Sequence, residues 1–163
     1  MENLKRNNSL FVICPFCQLE IYLQKKYGAD IFFMTATAGV LNFDSSEFLD
    51  LKDFIKREHI TDIYLVNDIG CNFIEEAINK KKEFGLHAEK QLRVLLKHNQ
   101  LKTIGKASIH EKKIIVAKIN VQQQVKYLES EKFLKNEVEN SEINIHTLIT
   151  NKCETIKNKF NLY

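Results

Sequence analysis

Arginine and proline are scarce in this sequence of 163 residues. It contains a single proline and only three arginines, which are Arg6, Arg57 and Arg93. The net charge of +3 therefore depends on lysines that are spread along the chain. A nucleic-acid-binding surface needs a concentrated basic stripe with interleaved aromatic residues, and none is present. We expect no nucleic-acid partner.

Long apolar runs are also missing. The first ten residues, MENLKRNNSL, lack the apolar core of a signal peptide. No window approaches the roughly 18 consecutive apolar residues that a membrane-spanning helix needs. We therefore expect a cytoplasmic protein with no membrane partner.

The length and composition suit one compact domain. With 44% hydrophobic and 28% charged residues, the chain is long enough to form a core and too short for two domains. No internal repeat, low-complexity tract or linker divides it. We predict a single domain over residues 1–163, with residues 1–9 as a flexible N-terminal arm.

Apolar runs alternate with helical patterns, which indicates an α/β fold with a mostly parallel sheet flanked by helices. SLFVIC, ADIFFMTATAG and ITDIYLVND read as strands, and the last is continuously apolar at its centre, as a strand covered on both faces would be. Helices are predicted for QLEIYLQKKYG, SEFLDLKDFIKREH, GCNFIEEAINKKKEFG and HAEKQLRVLLKHNQ. In the last third, KKIIVAKI is predicted as a strand, NVQQQVKYLESEKFLKNEVEN as one or two helices, and INIHTLITNKCETIKNKF as strand, turn, strand.

Three of the four cysteines lie at predicted strand ends, and the CPFC stretch is open to three interpretations. Cys14 and Cys17 are a redox pair, part of a metal site together with Cys71, or small buried residues in a structural turn. CPFC between a strand and a helix resembles the glutaredoxin motif. However, the thioredoxin fold places a cis-proline against its CxxC, and the only proline here is Pro15, inside the motif.

A second resemblance, to the beta-class carbonic anhydrases, covers the chain from residue 10 to its end. Members of that family carry a zinc-binding cysteine at the end of the first parallel strand, an Arg-Asn-Ala-Gly segment after the second and His-x-x-Cys after the third. FVIC supplies Cys14, FFMTATAG supplies Ala38 and Gly39, and HITDIYLVNDIGCNF supplies Cys71. The resemblance implies a beta-carbonic-anhydrase-like fold, with a cleft at the carboxyl ends of the parallel strands.

This chain departs from the family pattern at most site positions. The family reads Cys-x-Asp-Ser-Arg where this chain has Phe16 in place of the aspartate and Gln18 in place of the arginine. Asp68 stands at the histidine position, two residues before Gly70. The resemblance thus implies a replaced site in which Cys14, Asp68 and Cys71 bind zinc, with Cys17 as a further ligand. Asp68 is equally open to a structural reading, in which its carboxylate caps the following turn.

The altered ligand set implies a protein that binds zinc, or whose precursors did, and that is weak or inactive in CO2 hydration. Phe16, Gln18, Ala38, Gly39 and Gly70 are expected to line the cleft. The alternatives are an active, atypical zinc lyase or hydrolase acting on another small molecule, and a thiol-redox protein using Cys14 and Cys17. The family's habit of pairing subunits implies a homodimer or a higher homo-oligomer.

Overall fold

A five-stranded sheet organises the chain in a computed structural model, which describes residues 8–44, 46–79, 85–98, 105–130, 134–140, 142–151 and 154–155. The strands are β1 (Asn8–Ile13), β2 (Phe32–Thr35), β3 (Ile60–Asp68), β4 (Asn144–Asn151) and β5 (Glu154–Thr155). Their order in the sheet is β2-β1-β3-β4-β5. The first four are parallel and β5 is antiparallel to β4, so the predicted α/β fold class is confirmed.

Within the described ranges, six helices connect or follow the strands. They are α1 (Glu20–Tyr27), α2 (Ser46–Arg57), α3 (Asn72–Asn79), α4 (His87–His98), α5 (Ile109–Leu128) and α6 (Lys135–Glu139). A short 3-10 turn, Thr37–Gly39, follows β2, and it is called the 37–39 turn below. Among the described residues, no helix is both long enough and apolar enough to cross a lipid bilayer.

Helices pack on both faces of the sheet. On one face, Tyr27 of α1 lies against Phe11 and Tyr64, with ring centroids 4.9 and 5.3 Å away. Asn67 is three residues beyond Tyr64 on the same strand and therefore faces the opposite side. There its amide is hydrogen-bonded to Asn120 of α5. The core is formed between these layers, with Phe11, Leu23, Leu65 and Leu92 almost fully buried.

The sequence-based prediction was wrong for KKIIVAKI, residues 112–119. The structure places this stretch inside α5, a single helix of 20 residues. The other predicted strands and helices are present, although several predictions fall partly outside the described residues. The parts outside are residues 1–7 of the N-terminal arm, 80–84 and 99–100 of two predicted helices, 131–133 of the predicted helical stretch 120–140, and 152–153 and 156–160 of the predicted strand, turn, strand, which include Cys153. β1 begins at Asn8, so Asn8 and Ser9 belong to the sheet and not to the arm.

Candidate metal centre

The ends of two adjacent strands bring the cysteines together. Cys14 directly follows β1, and a turn closed by the Cys17 N–H on the Cys14 carbonyl (3.1 Å) carries the chain back over the strand end. Cys71 follows β3 through a second turn, in which its N–H donates to the Asp68 carbonyl at 3.0 Å. Because β1 and β3 are parallel neighbours, both turns lie at the same edge of the sheet.

The sulfur atoms of Cys14, Cys17 and Cys71 lie within 4.8 Å of one another and form what we call the cysteine cluster. All three residues are buried, with exposed fractions of 3%, 6% and 2%, and none is in a disulfide. The Cys14 and Cys71 sulfurs are 3.9 Å apart. A tetrahedral zinc ion with Zn–S bonds of about 2.3 Å holds its sulfur ligands about 3.8 Å apart, so the donor set fits such an ion.

Hydrogen bonding within the cluster gives the three thiols different pKa values. The Cys17 and Cys71 side chains are hydrogen-bonded to Cys14 and lower its pKa from the usual 9.0 to about 3, and the backbone N–H groups of Phe16 and Ala38 contribute to the same shift. The hydrogen bond to Cys14 raises the pKa of Cys71 to about 11 and also raises the pKa of Cys17. Without metal, the cluster therefore holds one thiolate, on Cys14, and two thiols.

Asp68 lies at the end of β3 and is almost fully buried, at 1% exposed. One carboxylate oxygen accepts a hydrogen bond from the Gly70 N–H at 2.7 Å, and the other accepts from the Thr150 hydroxyl on β4, also at 2.7 Å. The first of these bonds is the one that the structural reading predicts. Metal ligation by Asp68 stays a prediction.

The 37–39 turn lies against the cysteine cluster from the side of β2. Ala38 has a left-handed backbone with φ of 54°, and its carbonyl accepts from Asn67 Nδ2 (2.9 Å) and Asn120 Nδ2 (3.1 Å). Both asparagines are buried, at 2% and 0% exposed. Sequence reasoning missed them, although a buried polar residue directly after the apolar centre of β3 is a signal that points to Asn67.

The remaining residues predicted for the cleft occupy different surroundings. Phe16 is 65% exposed, and its ring packs against Phe73 at 5.2 Å, beside the start of α3. Gln18 has a left-handed backbone, with φ of 53°. Ala38 and Gly39 are buried, whereas Gly70 is half-buried. A cavity of about 270 Å³ at this edge is lined by residues 34–37, 40–42 and 86–88, so part of the accessible space is beside β2 and α4.

The fold is that of the beta-carbonic anhydrases, as comparison with solved structures shows. The beta-carbonic anhydrase CafD of the fungus Aspergillus fumigatus superposes with a TM-score of 0.77 at 16% identity, covering 93% of this chain and 87% of that one. CafA of the same fungus gives 0.77 at 19% identity, covering 96% and 76%. A structure of two tetrameric beta-carbonic anhydrases from Sordaria macrospora gives 0.76 at 14%, covering 92% and 80%.

Sequence comparison alone does not detect this similarity. No protein-family profile matches the chain, and no curated protein matches it. The predicted beta-carbonic-anhydrase-like fold is therefore confirmed by three-dimensional similarity at low identity, and similarity at this level shows the fold alone.

Proposed function

We propose that this protein is a zinc-binding member of the beta-carbonic-anhydrase fold whose metal is held by Cys14, Cys17 and Cys71, and that it is weak or inactive in CO2 hydration. The observation that carries the proposal is the cysteine cluster, in which three buried sulfurs lie within 4.8 Å of one another. Thiolates are preferred ligands of zinc. The three solved structures compared above are beta-carbonic anhydrases, which supports the same class of site.

Charge is the reason for expecting weak CO2 hydration. Zinc bound in the cluster would supply a Lewis acid that lowers the pKa of water. Three thiolates bring a charge of −3, against −2 for two thiolates and a neutral imidazole, and the additional negative charge opposes that effect. Phe16 and Gln18 cannot replace an aspartate and an arginine in moving a proton or orienting a small anion. The cluster is thus better suited to holding a metal than to hydrating CO2.

The test is the zinc content of protein purified without added zinc or chelator, together with a CO2 hydration assay. We expect about one zinc per chain, because the cluster offers one set of ligands. Cys14→Ser and Cys71→Ser should each remove most of the zinc. Cys153→Ser is the matched control, since Cys153 is the one cysteine of the sequence that is not proposed as a ligand, and its replacement should leave the zinc content unchanged.

Cys17→Ser separates the two ligand sets. If Cys17 is a ligand, its loss lowers the zinc content as strongly as the loss of Cys71. If Asp68 completes the site in its place, the zinc content stays near that of the wild type. A metal-free wild type, or zinc that survives both Cys14→Ser and Cys71→Ser, would contradict the proposal.

Thiol-redox chemistry is the second candidate function, and one observation favours it. Cys14 carries the low-pKa thiolate that nucleophilic thiol chemistry requires, and Cys17 is close enough to act as the resolving thiol. A metal-free wild type that reduces a model disulfide, with the activity lost in Cys17→Ser, would support this function in place of the metal centre.

A further inference from the structure

The backbone of Ala38 lies between the cysteine cluster and two buried asparagines. Its N–H lies near enough to the Cys14 sulfur to lower the pKa of that thiol, and the N–H of Ala36, two residues earlier, donates to the carbonyl of Ile13, the residue before Cys14, at 2.9 Å. The Ala38 carbonyl accepts from Asn67 Nδ2 at 2.9 Å and from Asn120 Nδ2 at 3.1 Å. Asn120 Nδ2 also donates to Asn67 Oδ1 at 2.8 Å, so the two side chains form one unit that joins β3 and α5 to the 37–39 turn.

This arrangement carries two local costs. Ala38 has a φ of 54°, in the left-handed region that residues with a Cβ rarely adopt. Asn120 is fully buried, and its Oδ1 has no hydrogen-bond partner among the described residues. Strained backbone and unsatisfied buried atoms persist where the surrounding contacts require them. Here the contact that both costs serve is the double hydrogen bond to the Ala38 carbonyl.

We infer that Asn67 and Asn120 are positioning residues, which hold the Ala38 N–H against Cys14 and so direct its sulfur toward those of Cys17 and Cys71. The inference rests on the proposed metal centre. Groups that hydrogen-bond to metal ligands fix the ligands' orientation, and their loss commonly weakens metal binding by about 10- to 100-fold. Asn67 and Asn120 act one step further out, through the backbone of Ala38.

The test compares Asn120→Leu with Gln124→Leu. Leucine removes the Asn120 donor and its unsatisfied oxygen together and keeps the branching pattern of the side chain. Gln124 is the matched control because it is also a buried amide of α5, one helical turn further along, and its Oε1 accepts from the Leu41 N–H at 3.0 Å without contacting Ala38. If Asn120→Leu does not fold, Asn120→Ser replaces it, since the shorter hydroxyl cannot reach the Ala38 carbonyl.

Three measurements are made on each variant. The first is hydrogen exchange of the Ala38 amide in metal-free protein, observed by NMR. The second is Zn²⁺ affinity, measured by competition with a chromophoric chelator. The third is the sulfur-to-cobalt charge-transfer band after Co²⁺ is added, which reports the geometry of the thiolate ligands. We expect Asn120→Leu to expose the Ala38 amide to exchange, to weaken Zn²⁺ binding at least tenfold and to shift the cobalt band, whereas Gln124→Leu changes none of the three.

The other outcomes overturn either the inference about the asparagines or the proposed function. An Ala38 amide that stays protected in Asn120→Leu overturns the inference, whatever the metal affinity. Exchange that rises while zinc affinity and the cobalt band stay at wild-type values overturns the link to the metal and leaves the proposed metal centre standing. A wild type that binds neither Zn²⁺ nor Co²⁺ overturns the proposed function instead, and the exchange measurement then decides alone whether the asparagines hold Ala38 against Cys14.

Discussion

Gly39 shows how closely the backbone packs beside the cysteine cluster. A Cβ at this position would lie 2.4 Å from Asn67 Nδ2 and 2.9 Å from the Val66 carbonyl oxygen, and φ is +67°. Gly28 also has a positive φ, +102°, but a Cβ there would meet no atom within 4 Å. The two glycines therefore share the backbone requirement, and only Gly39 adds a steric one.

We predict that Gly39→Ala destabilises the protein more than Gly28→Ala. Gly28→Ala should cost about 1–3 kcal/mol of the free energy of unfolding because of backbone strain alone. Gly39→Ala should cost about 1–3 kcal/mol beyond that, because the methyl group forces Asn67 or the 37–39 turn to move. Urea unfolding of both variants measures the difference, and equal losses would show that the turn gives way without resistance.

The cysteines of the candidate site could be named from the sequence, whereas the residues behind them could not. Cys14 and Cys17 were selected because they form a Cys-x-x-Cys motif after a predicted strand, and Cys14 and Cys71 because they match the cysteine positions of the beta-class carbonic anhydrases; the structure brings the three sulfur atoms together. Asn67 and Asn120 follow no motif. Their partnership depends on the rotation of α5 against β3, which periodicity does not determine.

The first turn of α5 begins with a capping box. The Ser108 hydroxyl accepts from the Glu111 N–H, and the Glu111 carboxylate accepts from the Ser108 N–H at 2.8 Å. The wrong prediction of a strand over residues 112–119 followed from the β-branched run there, whose strand propensity is high. The capping box and the burial of one broad helix face outweigh that propensity, since Ile114, Ala117, Val121 and Leu128 recur at helical spacing and are buried.

We predict that Ser108→Ala removes this cap at a cost of about 1 kcal/mol at pH 7, while Ser108→Thr keeps most of it. The Ser108 N–H, followed by its hydroxyl, lowers the pKa of Glu111 below the usual 4.5. A depressed pKa means that the stabilisation is present above about pH 4.5 and is lost as the pH falls through the folded-state value.

Two measurements check the capping box. Carboxyl NMR titration should place the Glu111 pKa below 4.5 in the wild type and return it toward that value in Ser108→Ala. The stability difference between wild type and Ser108→Ala should shrink between pH 7 and pH 3. A difference that is constant over this range would contradict the capping-box account.

For the whole chain, the alternation of strands and helices was enough to predict a mostly parallel sheet flanked by helices. The order β2-β1-β3-β4 does not follow from that alternation, because β1, β2 and β3 all have apolar centres and each of them could occupy the middle of the sheet. The structure also gives the register of the strands, in which Phe33, Phe11, Tyr64 and His146 lie side by side across four strands. Each ring packs against the next, and the Phe11–Tyr64 and Tyr64–His146 pairs are stacked with their ring centroids 4.4 and 4.5 Å apart.

We predict that the protein is a homodimer or a higher homo-oligomer. β2 ends the sheet on one side among the described residues, and exposed strand edges in native proteins are usually covered. A structural neighbour from Sordaria macrospora is described as tetrameric. Light scattering coupled to size exclusion, over a hundredfold range of concentration, should give a mass that is a multiple of 19.1 kDa. A monomer mass throughout that range would contradict the prediction.

The two hydrogen bonds of Asp68 restrict which substitutions the protein can accept at this position. The carboxylate holds the Gly70 turn and also joins β3 to β4 through Thr150. The beta-class carbonic anhydrases have histidine at this position. Exchanging Asp68 for histidine would remove both hydrogen bonds of the carboxylate, whether or not the imidazole then bound a metal. Thr150 would be left buried without its acceptor, at a cost of about 1–3 kcal/mol. A return to the family's ligand set would therefore pass through a less stable intermediate sequence, unless Thr150 changed first.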